Sequence, residues 1–439
     1  MAFPQGQLLS LFCLEPLTEG AKAVVAHSSN QRLVHWQNGS KFGLDIGHLH
    51  SPWRDYATIA TLGKTGDVVV DDPRIAGIQC SFEIDSDTGI VMFYDRSHSQ
   101  TSQVFGENAT RFEDGRPRKV IVNQDYNTII GMGGSEQNMF MFKLRWYWGF
   151  NGVMGMFKRQ ETEFEKSPPG QLRQTRYIKQ DFLGSRPLES VFNAINMDSG
   201  KLMVVKRMAN SAHDRDRLKL EVNLLIRSSH PHVVDYISSQ GWNNPVVEIF
   251  MGQGEGTLAT LIRNGCSMPV PKLARLALHH MLQAIDRLAV EGIVHRDVKP
   301  EDIIYTASQH YQSRYHFQLG DFGLANFQHV ATSPVGTLIY TAPEVFQTVR
   351  QTHKADVWSL FATMLWTLNA EGFRDASFNM TREDAEKRVL RATSHSDVIS
   401  IQEMARTNPQ ERASAAQMLV KCFNGNGLTT PLGQVPCLD

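Results

Sequence analysis

Acidic and basic side chains are concentrated in residues 295–304, which read HRDVKPEDII. A DFG motif that begins at Asp321 and an APE motif that ends at Glu344 follow in that order. Phosphoryl transfer uses motifs in this order, with one carboxylate that orients the attacking hydroxyl and oxygen ligands that hold a divalent metal against the phosphates. Asp297 stands at the position of the general base, and Asp302 and Asp321 stand at the metal-ligand positions. The spacing therefore predicts a phosphoryl-transfer site.

Together, the three motifs resemble those of eukaryotic-type protein kinases. Lys299, in a D-x-K-P sequence, resembles the lysine with which serine/threonine kinases stabilise charge on the transferring phosphoryl group. The resemblance implies that Asp297 and Lys299 are catalytic and that Asp302 and Asp321 hold the metal. It further implies ATP and Mg²⁺ as cofactors, with Mn²⁺ as a substitute, and protein substrates. Asp302 departs from the family, which has asparagine there; a carboxylate is still a hard oxygen ligand, but it adds negative charge.

Upstream residues extend the resemblance to the nucleotide-binding part of the site. Lys206 ends the strand-like segment GKLMVVK and resembles the lysine that reaches the α- and β-phosphates. Glu221 lies in an amphipathic stretch and is the matching helix glutamate, with an ordinary exposed helix charge as the other interpretation. The resemblance implies a salt bridge between the two.

The loop that would cover the phosphates matches the family only in part, at Gly184 and Val191. Arg186 and Glu189 replace its other two glycines, and side chains there hinder the close approach of backbone amides to phosphate. An alternative is that Arg186 binds phosphate itself. These departures leave a second functional hypothesis open, a pseudokinase scaffold that binds protein partners with little or no phosphotransfer.

The pattern predicts a multidomain fold class. An N-terminal all-β sandwich is expected first, followed by an α+β two-lobed kinase fold. Short apolar or alternating runs separated by turn signals in residues 1–148 are typical of a sandwich. Residues 149–174 are rich in charge, include SPPG and indicate a linker. Strands and then helices are predicted for a kinase domain at 175–423, with a C-terminal tail at 424–439. One buried helix face is predicted, formed by Leu278, Leu282, Ile285 and Leu288.

The N-terminal region resembles a forkhead-associated (FHA) domain, a phosphothreonine-binding sandwich found beside kinase domains in checkpoint-type kinases. The resemblance lies in residues 62–64, 67–71, 95–97 and 128–131. The phosphate-reading positions differ: Lys64 replaces arginine, residues 76–79 (AGIQ) replace S-R-x-H, and residues 99–101 (SQT) replace N-G-T. Because a phosphate site needs fixed cationic donors, we expect this domain to bind protein or to brace the kinase without reading phosphothreonine.

Composition excludes several other classes of function. The 439-residue chain carries 44 Lys and Arg against 45 Asp and Glu, so no global field favours nucleic acid or a membrane surface as a partner. The five cysteines are scattered and show neither a disulfide framework nor zinc-ligand spacing, which indicates a reducing compartment. Neither a signal peptide nor a transmembrane segment is predicted. We therefore expect an intracellular protein, cytoplasmic or nuclear.

Overall fold

The computed structural model forms two compact units, Met1–Asp181 with Asn193–Met203, and Phe182–Phe192 with Val204–Asp439. The described residues are 10–47, 57–85, 88–147, 174–186, 189–211, 214–307, 314–333, 335–347, 350–375 and 380–438.

A β-sandwich makes up most of the first unit. Its elements are β1 (Phe12–Pro16), α1 (Glu19–Ala26), β2 (Val34–Gln37), β3 (Ser40–Ile46), β4 (Thr58–Gly63), β5 (Val68–Val69), β6 (Cys80–Ile84), β7 (Val91–Asp95), β8 (Ser102–Phe105), β9 (Lys119–Ile121), β10 (Ile129–Met132) and β11 (Phe140–Trp146). One sheet has the order β2-β3-β1-β11-β10-β8, and the other has the order β5-β4-β6-β7-β9. Neighbouring strands are antiparallel except β4 and β5, which are parallel.

The two sheets share one apolar core. In β11, Phe140, Phe142 and Leu144 alternate with more exposed residues, which is the period of a strand with one buried face. Phe12 of β1 meets Phe82 of β6 at a ring-centroid distance of 4.9 Å, edge to face. The predicted β-rich region with a sandwich core is therefore present.

The remaining elements mix strands with helices. They are β12 (Tyr177–Arg186), β13 (Glu189–Asn196), β14 (Leu202–Ala209), α2 (Arg215–Arg227), β15 (Tyr236–Gln240), β16 (Val246–Gly252), β17 (Gly256–Thr257), α3 (Leu258–Arg263), α4 (Val270–Val290), β18 (Ile293–Val294), β19 (Ile303–Ala307), β20 (Tyr315–Leu319), β21 (Asn326–Phe327), α5 (His353–Leu368), α6 (Arg382–Ala392) and α7 (Ala415–Phe423). The sheet orders are β12-β13-β14-β16-β15, β17-β19-β20 and β18-β21. Along the chain, α2 lies between β14 and β15 of the first of these sheets, and the other helices follow that sheet.

Two buried helices support the loops of the candidate site. The predicted face of α4 is buried, at Leu278, Leu282, Ile285 and Leu288. After α4 the chain turns at Gly292, whose φ of +67° is in the left-handed region that favours glycine. Nearly every residue of α5 is buried, and the Thr352 side chain caps its first turn by accepting the N–H of Lys354. In the described ranges, no helix is long and apolar enough to cross a membrane.

Candidate active site

A buried carboxylate of α5 holds the loop between β18 and β19. Asp356 accepts the backbone N–H groups of His295 and Arg296, each at 2.8 Å. Arg296 has a φ of +73°, an uncommon backbone conformation for a residue with a side chain, and these bonds hold it there. The His295 ring donates from Nε2 to the carbonyl of Gly320 at 2.8 Å, which ties the loop to the end of β20. The loop is therefore braced from two sides.

Asp297 lies at the centre of this loop with its carboxylate already engaged. Oδ1 accepts both the backbone N–H and the hydroxyl of Thr337, each at 2.8 Å. Oδ2 accepts from the ammonium group of Lys299, which also lies 2.9 Å from Oδ2 of Asp302. The structure thus brings the predicted base, the predicted lysine and one predicted metal ligand into one buried group.

Asp302 is the member of this group that departs from the kinase pattern. Burial raises the pKa of its carboxyl to about 7; the Lys299 ammonium lowers that pKa in part, and the Asp321 and Asp297 carboxylates raise it. Its Oδ2 atom is buried and lies 2.9 Å from the Lys299 ammonium group. Near neutral pH a share of these carboxyls is protonated and carries an O–H donor, as the amide of asparagine carries N–H donors. The charge and the hydrogen-bonding groups of Asp302 are therefore closer to those of asparagine than the residue type alone indicates.

Lys206 of β14 lies among three carboxylates. Its ammonium group is 2.8 Å from Glu221 of α2, 3.5 Å from Asp321 and 3.4 Å from Glu189 of β13. Lys206 and Glu221 are both 3% exposed, which rules out an ordinary exposed helix charge at Glu221. Although burial lowers the pKa of Lys206, the carboxylates of Glu221, Asp321 and Glu189 raise it by more, so the ammonium stays charged. The salt bridge implied by the kinase resemblance is formed.

The DFG segment presents Asp321 toward this lysine. Asp321 has a φ of +51°, and its Oδ1 accepts the N–H of Gly323 at 3.3 Å. Phe322 is buried, with its ring edge against the ring of His295 at a centroid distance of 5.1 Å. A Cβ at Gly323 would lie 3.2 Å from Oδ1 of Asp321 and 3.5 Å from Nζ of Lys206. The absence of a side chain there leaves room for the ion pair.

The segment predicted to cover the phosphates includes the end of β12 and the start of β13. Gly184 and Val191 are both half-buried, on β12 and β13 respectively. A Cβ on Gly184 would meet no atom within 4 Å. Pro187 and Leu188 lie outside the described residues, as does the side chain of Arg186, so the alternative that Arg186 binds phosphate remains a prediction.

Two further arginine contacts stabilise the segment that follows DFG. Arg296 donates from Nη1 to the hydroxyl of Ser333 at 3.0 Å. Glu344 forms a bidentate pair with Arg412, at 2.6 and 2.9 Å, and both side chains are buried. These bonds hold the two ends of the segment that contains Thr337, the partner of Asp297.

Sequence reasoning missed the ion pair between Glu189 and Lys206. The kinase pattern predicts Glu189 only as an obstacle in the phosphate loop, whereas its carboxylate lies 3.4 Å from the lysine that would bind phosphate. The signal in the sequence was the acidic residue type at a position where the family has glycine. The structure places that residue close to a buried cation, Lys206. The pairing itself depends on how β13 and β14 lie side by side.

Comparison with known proteins agrees with this geometry. A model of the protein kinase domain matches residues 177–424. Cell division control protein 7 of Schizosaccharomyces pombe is 29% identical over 194 residues, which cover 43% of this chain and 18% of that protein. Serine/threonine-protein kinase fused of Drosophila melanogaster is 30% identical over 196 residues, covering 42% of this chain and 23% of that protein.

A plant relative is similar over a slightly longer stretch. Mitogen-activated protein kinase kinase kinase 3 of Arabidopsis thaliana is 26% identical over 224 residues, covering 46% of this chain and 33% of that protein. In each of these relatives the matched part is a third of the protein or less.

Proposed function

The chain belongs to the protein kinase family, and from that premise we propose that it is an active serine/threonine kinase that transfers the γ-phosphate of ATP to protein hydroxyls. The observation that carries the proposal is the assembled group of Lys206, Glu221 and Asp321, with Lys206 2.8 Å from Glu221 and 3.5 Å from Asp321. A kinase requires the lysine–glutamate pair and the DFG aspartate to be in place together before transfer. ATP is abundant inside the cell, so an intracellular location forms part of the proposal.

The side chains present fit ATP and a divalent metal ion. Asp302 and Asp321 offer hard carboxylate oxygens, the ligands that such an ion prefers, and the buried Oδ2 of Asp302 already lies 2.9 Å from the ammonium cation of Lys299. These two residues would hold Mg²⁺ or Mn²⁺, and Lys206 would contact the phosphates, with Gly184 and Val191 flanking the nucleotide. The metal, when bound, neutralises negative charge on the phosphates.

The catalytic roles follow from the contacts of Asp297. Its carboxylate lies in the loop between β18 and β19, held by Thr337 and Lys299, and would orient the substrate hydroxyl and accept its proton. Lys299 would stabilise charge on the phosphoryl group as it moves, because its ammonium group contacts both Asp297 and Asp302. The rest of the rate enhancement would come from holding ATP and the substrate hydroxyl in the reactive geometry.

A pseudokinase scaffold is the second candidate, and one observation favours it. Glu189 places a carboxylate 3.4 Å from Lys206, on the side chain that would receive the phosphates. Like charges that approach each other in a site of low dielectric weaken binding. In this candidate, the kinase-like region binds protein partners and transfers little or no phosphate.

Transfer of radiolabelled γ-phosphate separates the two candidates. The purified full chain is incubated with ATP, Mg²⁺ or Mn²⁺ and a generic basic protein, beside an Asp297→Asn variant that keeps the Oδ1 acceptor for Thr337. The active kinase predicts incorporation into serine and threonine that falls about 10²-fold or more in the variant. Incorporation by the wild type no higher than by Asp297→Asn would overturn the proposal.

For the N-terminal sandwich we propose an FHA-like protein-interaction domain that does not read phosphothreonine. Its candidate phosphate readers are engaged in internal contacts. Lys64 donates to the carbonyl of Pro73 at 3.1 Å, and the fully buried Gln79 donates to the hydroxyls of Thr101 and Ser102 at 3.0 and 2.9 Å. The Gln79 donors used in this way offer little to a phosphate, and the exposed Lys64 is a flexible point charge where the family has an arginine fork.

A thermal-shift assay tests this part of the proposal. The full chain is mixed with a phosphothreonine peptide library and with the same peptides without phosphate. We expect equal thermal midpoints in both mixtures. A higher midpoint with the phosphorylated set would mean that the sandwich reads phosphothreonine after all.

A further inference from the structure

Three histidines outside the candidate active site form a compact cluster. His232 follows α2, His280 lies in α4 and His316 lies in β20; the first two are buried and the third is half-buried. The rings of His232 and His280 are stacked with centroids 3.9 Å apart, and the His316 ring is 4.7 Å from that of His232. One ring nitrogen from each side chain lies within 4.8 Å of the others.

Backbone hydrogen bonds determine which nitrogen carries the hydrogen in two of these rings. His232 Nδ1 lies 2.9 Å from the carbonyl oxygen of Phe317, and His316 Nε2 lies 2.8 Å from that of Pro231. A carbonyl oxygen only accepts, so these two nitrogens are the donors. In the neutral rings the lone pair then resides on Nε2 of His232 and Nδ1 of His316. Metal-binding histidines commonly donate their second ring N–H to a backbone carbonyl in this way.

We propose that His232, His280 and His316 form a binding site for one divalent transition-metal ion, with Zn²⁺ as the best-suited ion. Imidazole nitrogens suit Zn²⁺, Cu²⁺ and Ni²⁺ rather than Mg²⁺, so this site differs in chemistry from the carboxylates of the active site. Three protein ligands leave a fourth tetrahedral position for water, and the half-buried His316 provides access to solvent. Because the His232 and His280 rings are stacked with an interplanar angle of 17°, Zn–N bonds of about 2.0–2.1 Å require at least one of these rings to tilt so that its lone pair points at the ion.

The three ligands do not contribute equally. His280 Nδ1 accepts the backbone N–H of Phe317 at 3.2 Å, and coordination by a neutral His280 ring gives up this bond. His232 and His316 keep their backbone bonds when they bind. We therefore expect His280 to add the least to the affinity.

The buried rings are also in the correct charge state. Burial lowers the pKa of His232 to about 3 and that of His280 to about 2, with the neighbouring histidines adding to the decrease for His280. Both rings are neutral at pH 7, as a metal ligand must be. The ion would link the segment after α2, α4 and β20, which are far apart in sequence, so binding should raise the thermal midpoint.

Zinc binding to the purified full chain tests the proposal. The protein is treated with EDTA, desalted and titrated with ZnCl₂ by calorimetry, and the thermal midpoint is measured with and without Zn²⁺. The test variant is His316→Gln, chosen because His316 is the least buried ligand. The matched control is His395→Gln, in a separate turn after α6. The proposal predicts that the number of bound Zn²⁺ ions falls by one per chain in His316→Gln and is unchanged in His395→Gln, with loss of the thermal shift in the first variant only.

A measurement on the wild type removes any dependence on how the variant folds. X-ray absorption of the zinc-loaded chain should show scattering from three imidazole rings. Bound Co²⁺ should give the visible absorption of a four- or five-coordinate ion. No zinc uptake, identical uptake by wild type and His316→Gln, or a zinc spectrum without imidazole scattering would overturn the proposal.

Discussion

The carboxylate of Glu189 lies 3.4 Å from the ammonium group of Lys206, in a position that the kinase pattern reserves for glycine. The Glu189 side chain is 13% exposed, so water screens the contact only weakly. Lys206 also contacts Glu221 at 2.8 Å and Asp321 at 3.5 Å, so Glu189 is a third carboxylate at the ammonium group that a nucleotide phosphate would approach. Entry of ATP would have to displace or neutralise this carboxylate.

Removal of the Glu189 charge should strengthen ATP binding. We expect Glu189→Gly to lower the KM for ATP about tenfold, which corresponds to about 1.4 kcal/mol. Steady-state kinetics at varied ATP concentration measure the change. Glu189→Gln keeps the size of the side chain and removes its charge, so it should reproduce most of the decrease. An unchanged KM in both variants would show that Glu189 does not compete with the phosphates.

Replacement of Asp302 by the asparagine of the kinase pattern should change the metal requirement more than the turnover. Asp302→Asn removes the negative charge that the carboxyl carries when it is ionised while keeping an oxygen ligand, so the half-saturating concentration of Mg²⁺ should rise several-fold. The rate at saturating Mg²⁺ should stay within a few-fold of wild type. Phosphotransfer rates over a Mg²⁺ titration give both numbers. A fall in half-saturating Mg²⁺ would contradict the role of Asp302 as a metal ligand.

The buried pair of Glu344 and Arg412 should be important for stability. Glu344→Gln leaves the fully buried guanidinium of Arg412 without its carboxylate, which should cost about 3–5 kcal/mol of unfolding free energy. Glu301→Gln is the matched control, because it breaks the exposed pair with Arg263 and should cost less than about 1 kcal/mol. Urea unfolding of both variants provides the comparison. Equal losses would mean that burial does not decide the effect.

Acid should destabilise the fold through the neutral histidines of the cluster. The folded-state pKa values of His232 and His280, about 3 and about 2, lie below the ordinary value of 6.5, so the folded state binds fewer protons than the unfolded state between those limits. Their contribution to stability is complete above pH 6.5 and is lost as the pH falls below it, by at most about 1.4 kcal/mol per pH unit for each group. Besides each other, the titratable neighbours that act on these two rings are His230, His279 and His316.

Urea unfolding in EDTA at pH 7.5, 6.5 and 5.5 tests this pH dependence. We expect His280→Gln to reduce the loss between pH 6.5 and 5.5, because the amide does not titrate and still accepts the N–H of Phe317. His395→Gln should leave the loss unchanged. A wild-type stability that is flat across this range would contradict the prediction.

Much of the candidate site could be predicted from the sequence because its parts lie close together in the chain. Asp297, Lys299 and Asp302 belong to one short loop, so their types and spacing alone predict that they meet. The buried face of α4 follows from apolar residues at helical spacing. The β-rich character of residues 1–148 follows from apolar runs that end in turn residues, but the order of the strands in the two sheets does not.

Tertiary packing decided which side chains from separate segments meet, because the order of residues along the chain does not contain this information. Lys206, Glu221, Asp321 and Glu189 come from four separate segments, and only the packing of β13, β14, α2 and the DFG segment determines that one ammonium meets three carboxylates. The raised pKa of Asp302 depends on burial, which no spacing reveals. The sequence by itself determined the kinase family and predicts the residues of its catalytic loop, because those residues are local. The structure decided which charges are paired and buried, because electrostatic energies depend on distance and on access to water.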